Sequence, residues 1–562
     1  MSNIPQDYYA HCIDVSDAKA VEAELEALLN QKIESVEELQ TWLQAETRLS
    51  NRLSEVLMGH QVDFARDTED EERKRIHLHD QAEIMPLLTR YEAKFNEKFY
   101  NCPFTKELDD SKYGLMKKVR FASLELFREE NIPLEVKASE LVTEYQALMA
   151  GLTVSWNGEQ QTIPFVMAQV DSPDRSVREQ AWTSLGEVYA SVKPRVDEIM
   201  DELVKLRHQI AVNAGFENYR DYTWISKSRE YSIEDIRKYH AAVEKYVVPV
   251  WDEIAEDFRA SLGVESFRPW DNSNCTISKP PYDAIAELTD GVEKMLRATD
   301  PVFGDLFAQM NSTGLIDLGS RKGKGMGGFY VPFPVSNHGF VFANFSPSFF
   351  SLIALVHEMG HAVNLGFQLD KGDKWQHWRM EVAELFSHSM ELLCLDKLNV
   401  LYTNEADYKE AIRQRIRRSI GMLMGPLAGD KFQHWMYENP NHTAAERDAM
   451  FAEIQKTYFA HPVDYTGYES RLGSSWVGTE HFFQSPFYQI EYAMAELGAL
   501  QMLKNYREDP KAAIAGYKRG ASADDSSLPI SAIYESAGVK FDFSDELIQS
   551  TAEFVRRLWK SI

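Results

Sequence analysis

From Ser346 to Gly366 the chain is apolar nearly all round a helix, yet it holds His357, Glu358 and His361. Ser346-Pro347 supplies a cap and a first-turn proline, and Gly366 a stop. Leu352, Leu355, Met359 and Ala362 fall on the side opposite the histidines, with further apolar residues around them. A helix of that character is buried. Two imidazoles and a carboxylate are costly to bury without partners. The fold must therefore be built around this segment, and something must satisfy its polar groups.

The rest of the chain reads as mostly helix. Stretches rich in Glu, Leu, Ala, Lys and Gln run from Asp17 to Leu126, broken around Asn101-Cys102-Pro103. The alternating charges of Arg66 to Arg75 read as a solvated helix face. A β-hairpin is expected at 152–167, with strands Leu152–Trp156 and Thr162–Met167 about the turn pair Asn157-Gly158, since both turn residues tolerate positive φ. Ser172-Pro173-Asp174 then opens a long helix, with Ser172 as cap. A boundary is placed there, giving an N-terminal helical region 1–171 and a region 172–562 that holds the histidines. Helices follow around Ile233–Leu262 and Tyr282–Met310. The glycine-rich Gly319–Gly328 leads into Phe329–Pro334 and Gly339–Phe345, read as a small sheet or hairpin. Gly339–Phe345 reads either as a plain structural strand or as one with a free edge onto which an extended peptide could add. Beyond Ser346 the chain is helical to its end, with no internal repeat.

Composition bounds the function. With 87 acidic and 60 basic residues the 562-residue chain has a formal net charge of −27, which works against binding a polyanion, so no nucleic-acid partner is expected. No apolar run is long enough to span a bilayer, and the N-terminus has no secretory pattern, so neither membrane nor export is expected. Cys12, Cys102, Cys275 and Cys394 are scattered, without zinc-ribbon spacing, and read as reduced thiols of a cytoplasmic protein.

His357-Glu358-Met359-Gly360-His361 places two imidazoles one helical turn apart, able to share one cation. Zinc accepts such nitrogens and, in catalytic sites, leaves its fourth position to water; Glu358 lies a third of a turn round, where it can take that water's proton. A second helix is expected from about Lys374 to Leu395. Its His377, Glu381, Glu384, His388 and Glu391 are spaced four, three, four and three, so they share one face. A solvated face would ordinarily include Lys and Gln; this one has only His and Glu. Facing the first helix, it would provide a third ligand and carboxylates that orient ligand imidazoles. Spacing leaves Glu381 and Glu384 both feasible as that ligand. A third segment, Trp476–Tyr492, gathers His481, Tyr488 and Tyr492 among phenylalanines. Its phenols and imidazole can donate to an oxyanion, or can simply belong to an aromatic core.

These blocks, HEMGHA at 357–362, AELFSHSMELL at 383–393 and HFFQSPFYQIEY at 481–492, resemble the thimet oligopeptidase and oligoendopeptidase F family of zinc metallopeptidases. The likeness covers roughly 327–492. It implies a mainly α fold, a large helical ellipsoid split by a deep substrate channel, with a small β-sheet next to the histidine helix. It also implies one Zn2+ per chain on His357, His361 and Glu384, Glu358 as general base, and His481, Tyr488 and Tyr492 as groups that bind substrate and stabilise the transition state. Glu391 matches a further family glutamate; Glu381 and His388 fall around the ligands. Asn364 stands where many members have a histidine, and His388 replaces a smaller or neutral polar residue. The expected activity is zinc-dependent endopeptidase cleavage of short unfolded oligopeptides. The alternatives are a zinc aminopeptidase or thermolysin-like protease with Glu381 as third ligand, and a non-catalytic peptide-binding helical scaffold.

Overall fold

The computed structural model describes residues 7–273, 280–325, 327–369, 375 and 379–562. The fold is mainly α, with five short strands in two sheets among the described residues. Contacts divide the chain into two compact units, each assembled from three separate stretches. Met1–Glu125, Lys279–Tyr408 and Gly498–Phe541 form the first; Leu126–Ser278, Lys409–Leu497 and Asp542–Ile562 form the second.

In the first unit, the helix Val36–Arg66 begins at Ser35, whose side chain accepts from the Glu38 amide. Its apolar face, with Trp42, packs with Tyr91, Phe95 and Phe99 into an N-terminal core. The charged block Arg66–Arg75 is not one helix face. It straddles a break, since Val36–Arg66 ends there and Glu71–His79 starts on the Asp70 cap. The Gly-rich segment folds back on this break: Gly323 O accepts from the Thr68 amide at 2.6 Å, and the Gly325 amide donates to Ala65 O at 2.7 Å. Gly323 has φ 79°, a conformation that a Cβ would oppose.

Three strands follow, β3 (Ile316–Asp317), β4 (Phe329–Phe333) and β5 (His338–Phe342), in the order β3-β5-β4. β5 pairs parallel to β3, Ile316 opposite Val341, and antiparallel to β4, Tyr330 opposite Val341. The strand read as a free edge is therefore the central one, hydrogen-bonded on both sides; β4 takes the edge position. A short strand before the glycines, invisible in the sequence, claims β5's other side. Phe333, Phe340 and Phe342 are fully buried. Buried Glu55 ties the β4–β5 turn to the helix Val36–Arg66, accepting from the Val335 and Ala10 amides, each at 2.9 Å, and from the Ser336 hydroxyl.

In the second unit the hairpin is shorter than expected. β1 (Thr153–Trp156) and β2 (Glu159–Thr162) flank Asn157 and Gly158, with φ of 53° and 87°. Ile163–Gln169 is helix rather than strand, because Thr162 is extended and Pro164 sits in the first turn, where proline favours helix. The long helix Arg175–Asn213 is capped by Asp174, which accepts from the Ser176 amide, and not by Ser172; Ser172 Oγ accepts from the Asp174 amide instead.

Candidate active site

The first unit positions a helix, Phe349–Leu369, against the small sheet. It starts two residues later than the Ser346-Pro347 pair suggested, with Ser348 Oγ accepting from the Ser351 amide, and it runs through Gly366 to Leu369. Leu352, Leu355, Val356, Met359 and Ala362 are all buried, as the apolar circumference requires.

Against it packs a second helix, Met380–Leu393, in which every residue from Glu381 to Leu393 is buried. It is shorter than the expected Lys374–Leu395, and His377 lies outside the described residues. Arg379, just before it, is ion-paired with Asp525, and Tyr534 and Tyr517 hydroxyls donate to Glu381 O and Phe386 O at 2.7 and 3.1 Å. The two helices approach at Gly360. A Cβ there would lie 2.4 Å from Ser387 Cα and 2.7 Å from Phe386 O. The glycine inside the HExxH sequence is therefore a packing requirement.

This close approach brings the predicted groups together. His357 Nε2 lies 3.3 Å and His361 Nε2 3.6 Å from Glu384 Oε2. His357 Nδ1 meets Glu391 Oε1 at 2.8 Å, and Ser387 Oγ donates to Glu384 Oε2 at 2.8 Å. His388 Nε2 is 3.8 Å from the same Glu384 oxygen. Glu381, Glu384, His388 and Glu391 are 5%, 3%, 3% and 4% exposed, so the face that could have been solvated is interior. Glu381 belongs to neither of the two potential ligand clusters among the described residues, which are His357, His361, Glu384 and His357, His388, Glu391.

The electrostatics show a site that favours added positive charge. Burial pulls His357 down, but hydrogen bonds to Glu384 and Glu391 override it and hold the imidazole well above its ordinary pKa. His361 is pushed down to about 4, chiefly by burial, which leaves it neutral with a free lone pair. Glu384 is held below the usual carboxylate range by the histidines despite its burial. Glu358 goes the other way, lifted to about 7 by burial, with His357 opposing and Glu384 and Glu391 adding to the rise.

The donor set fits a divalent ion. Tetrahedral ligands about 2.0–2.2 Å from zinc are separated by about 3.3–3.6 Å, the range spanned by the two His–Glu384 distances. Three donors and one open position are the pattern of a catalytic rather than a structural site.

The profile of peptidase family M3 matches residues 168–553, and that of the peptidase M3 N-terminal domain matches residues 13–126. The chain belongs to peptidase family M3. It is 21% identical to an oligoendopeptidase F homolog of Borreliella burgdorferi over 80% of this chain and 77% of that protein. Against the group B oligopeptidase PepB of Streptococcus agalactiae the identity is 18%, over 69% of this chain and 64% of that one. Among solved structures, PZ peptidase A with a bound inhibitor is similar at a TM-score of 0.90 and 25% identity, covering 99% of both chains. Oligoendopeptidase-F from Enterococcus faecium, at 15% identity, shares the fold with a TM-score of 0.66 over 97% of this chain and 96% of that one.

This M3 peptidase is accordingly a metallo-oligopeptidase by family. His481, Tyr488 and Tyr492 belong to its second unit, where they form one half-buried cluster. The His481 and Tyr488 rings stack at 5.6 Å and 10°, and Tyr492 stands edge-on to Tyr488 at 5.1 Å. Burial lowers the His481 pKa, which keeps the ring neutral and able to donate only through a chosen tautomer. Asn364 is structural, its amide donating to Ala521 O at 3.3 Å beside Gln368, which donates to the same oxygen at 2.7 Å. Sequence reasoning missed Tyr330 on β4. It is near enough to Glu358 for that carboxylate's charge to add to the burial that raises the phenol's pKa. Its only signal in sequence is a tyrosine in a strand shortly before the motif.

No helix among the described residues is long and apolar enough to cross a membrane.

Proposed function

We propose that this M3 peptidase is a zinc-dependent endopeptidase acting on short unfolded oligopeptides, with His357, His361 and Glu384 holding one ion. The observation that carries the reading is the convergence of two imidazole Nε2 atoms on one oxygen of Glu384, at 3.3 and 3.6 Å. A bound divalent ion would supply Lewis acidity to the scissile carbonyl and acidify an attacking water. Glu358, adjacent in sequence to the first ligand, takes that water's proton and returns it to the leaving amine. Glu391 fixes the His357 tautomer by accepting from Nδ1, so that Nε2 is the nitrogen offered to the ion. Ser387 holds the Glu384 carboxylate in one rotamer. His481, Tyr488 and Tyr492 are assigned to substrate binding and oxyanion stabilisation, by likeness to the family and by the donor chemistry of the cluster. We place the catalytic region in residues 172–562 and the protein in the cytoplasm; Cys12, Cys102 and Cys394 are free thiols, in keeping with a reducing compartment.

The test is an internally quenched peptide with and without chelator, run beside elemental analysis. Glu358→Gln is expected to retain zinc and lose at least about 100-fold in kcat; His357→Ala and Glu384→Ala are expected to lose the metal. If Glu381→Ala strips the metal while Glu384→Ala keeps it, the ligand assignment is wrong. If no peptide is cleaved under any metal condition, the enzymatic reading is wrong.

A further inference from the structure

Four non-glycine residues among those described have positive φ: Asn157, Ser228, Asn337 and Phe487. The two asparagines lie in the turns between β1 and β2 and between β4 and β5, where a left-handed residue is required and asparagine tolerates it. Ser228 (φ 51°) and Phe487 (φ 61°) are in no hairpin. For a bulky side chain the left-handed region is an outlier, and such residues persist only where surrounding structure over-determines them.

Phe487 is held from both ends of its own backbone. Its amide donates to Gln433 Oε1 at 2.8 Å, and its carbonyl accepts from the Arg229 guanidinium. Both anchors are buried. Gln433 is itself held, its Nε2 donating to Gly429 O at 3.3 Å. Arg229 follows the other left-handed residue, Ser228. The nitrogen that reaches Phe487 also donates to Glu491 Oε1 at 2.9 Å, in the first turn of the helix Ile490–Glu508. Its guanidinium lies 4.3 Å from the Trp224 ring centroid. Lys227, two residues earlier, is 3.7 Å from Glu491 and 5.5 Å from the centre of the Tyr488 ring. The Phe487 side chain fills an aromatic box, with His434 and Tyr437 each at 5.5 Å and Trp224 at 6.0 Å. Asp430 fixes His434, at 3.1 Å, and also engages His240 at 2.9 Å. All of these residues belong to the second unit.

The residue so clamped directly precedes Tyr488, and its held carbonyl belongs to the peptide unit that launches Tyr488. Relaxation of Phe487 to ordinary negative φ would redirect Tyr488 away from its stack on His481 and shift the start of the helix that carries Tyr492. We propose that Arg229 and Gln433 are positioning residues: together they hold Phe487 left-handed and thereby fix the cluster of His481, Tyr488 and Tyr492. The proposal rests on the reading that Tyr488 touches the substrate or the developing oxyanion. Neither anchor need contact substrate. The strain at Phe487 is retained because a phenol that is to meet a reacting group has to be placed to within a fraction of an ångström.

The experiment is a mutant cycle on the full-length, zinc-loaded protein with a quenched peptide, measuring kcat and KM separately. Tyr488→Phe, Arg229→Lys and Gln433→Met are made singly, and Arg229→Lys is combined with Tyr488→Phe. Arg229→Lys keeps the charge but loses the fork; Gln433→Met loses the acceptor at similar volume. Each anchor variant is expected to lower kcat by about 10–100-fold, with KM within about threefold and zinc content unchanged. In the Arg229→Lys background, Tyr488→Phe is expected to cost less than about threefold, because the hydroxyl is already misplaced. If Tyr488→Phe alone is fully active, the role given to Tyr488 falls and the positioning role falls with it. If Tyr488→Phe is impaired while the anchor variants are not, or if the losses in the double variant multiply, the positioning proposal alone is overturned. Should Arg229→Lys not fold, Gln433→Met, alone and with Tyr488→Phe, decides the matter by the same criteria.

Discussion

Replacing Gly360 by alanine adds one methyl group and is expected to damage both the fold and the metal site. The new Cβ would lie 2.4 Å from Ser387 Cα and 2.7 Å from Phe386 O. Carbon atoms pack at about 3.5–4.0 Å, so the shortfall is roughly 1 Å. Both clashing atoms are backbone of the facing helix, so no side chain can swing aside; the helices must part by about that distance. Overpacking of this kind costs about 1–3 kcal/mol. The effect on metal binding is larger, because His357 and His361 lie on one helix and Glu384 on the other, and ligand distances tolerate only about 0.2 Å. Separation by 1 Å removes Glu384 from the coordination sphere, which should weaken zinc at least about 100-fold, beyond the loss typical of an orienting residue. Gly366→Ala is the control. It lies on the same helix with its nearest neighbour, Leu306 Cδ2, at 4.0 Å, so it should be neutral or up to about 1 kcal/mol more stable through helix propensity. The measurements are urea unfolding of the metal-free proteins and zinc competition against a chromogenic chelator. Wild-type stability and zinc affinity in Gly360→Ala would refute the reasoning that this glycine sets the helix spacing.

Three further outcomes follow from the same geometry. Glu391→Ala removes the acceptor of His357 Nδ1 and should weaken zinc about 10–100-fold in the same competition assay, with Glu384 still in place; unchanged affinity would show that Glu391 does not orient the ligand. Glu358 is lifted by burial from 4.5 to about 7 in the metal-free protein. A carboxyl group raised on folding supports the fold below its ordinary pKa and withdraws that support as pH rises to the folded value. Metal-free wild type should therefore lose on the order of 1–3 kcal/mol relative to Glu358→Gln between pH 4.5 and 8; a stability difference that stays flat with pH contradicts the assignment. Glu55→Ala strands the amides of Ala10 and Val335 and should cost about 3 kcal/mol in urea unfolding, while leaving zinc affinity intact.

Much of the candidate site was legible because helical periodicity is local. The four-residue spacing of His357 and His361 and the shared face of Glu384, His388 and Glu391 follow from 3.6 residues per turn, whatever surrounds them. Element limits were less legible where a short-range signal had competitors. Ser346, Ser348 and Ser351 all offer a hydroxyl near the histidine helix, and only packing decides that Ser348 Oγ meets the Ser351 amide in the first turn while Ser351 Oγ accepts from the Ser346 amide. Asp174 displaced Ser172 as cap in the same way. The strand at 338–342 was found, but its place in the sheet was not, because β3 is two residues long and its pairing spans more than twenty residues. Tyr330 and the Phe487 clamp have no periodic signature at all. The clamp depends on side chains that arrive from Arg229 and Gln433, more than fifty residues away from Phe487 in the chain, and Tyr330 depends on the packing of β4 near Glu358.

The sequence by itself determined that the chain would be mainly helical and that one apolar helix would carry two imidazoles a turn apart. It also set the second helix, whose His and Glu residues lie along one side. These are consequences of local backbone geometry and of the cost of exposing apolar surface. Only the tertiary structure decided that the two helices meet at Gly360, that Glu384 rather than Glu381 stands within 3.6 Å of both histidines, and that the whole acidic face is interior. Those outcomes depend on long-range packing, in which the absence of a single Cβ sets an interhelical distance that no local pattern encodes.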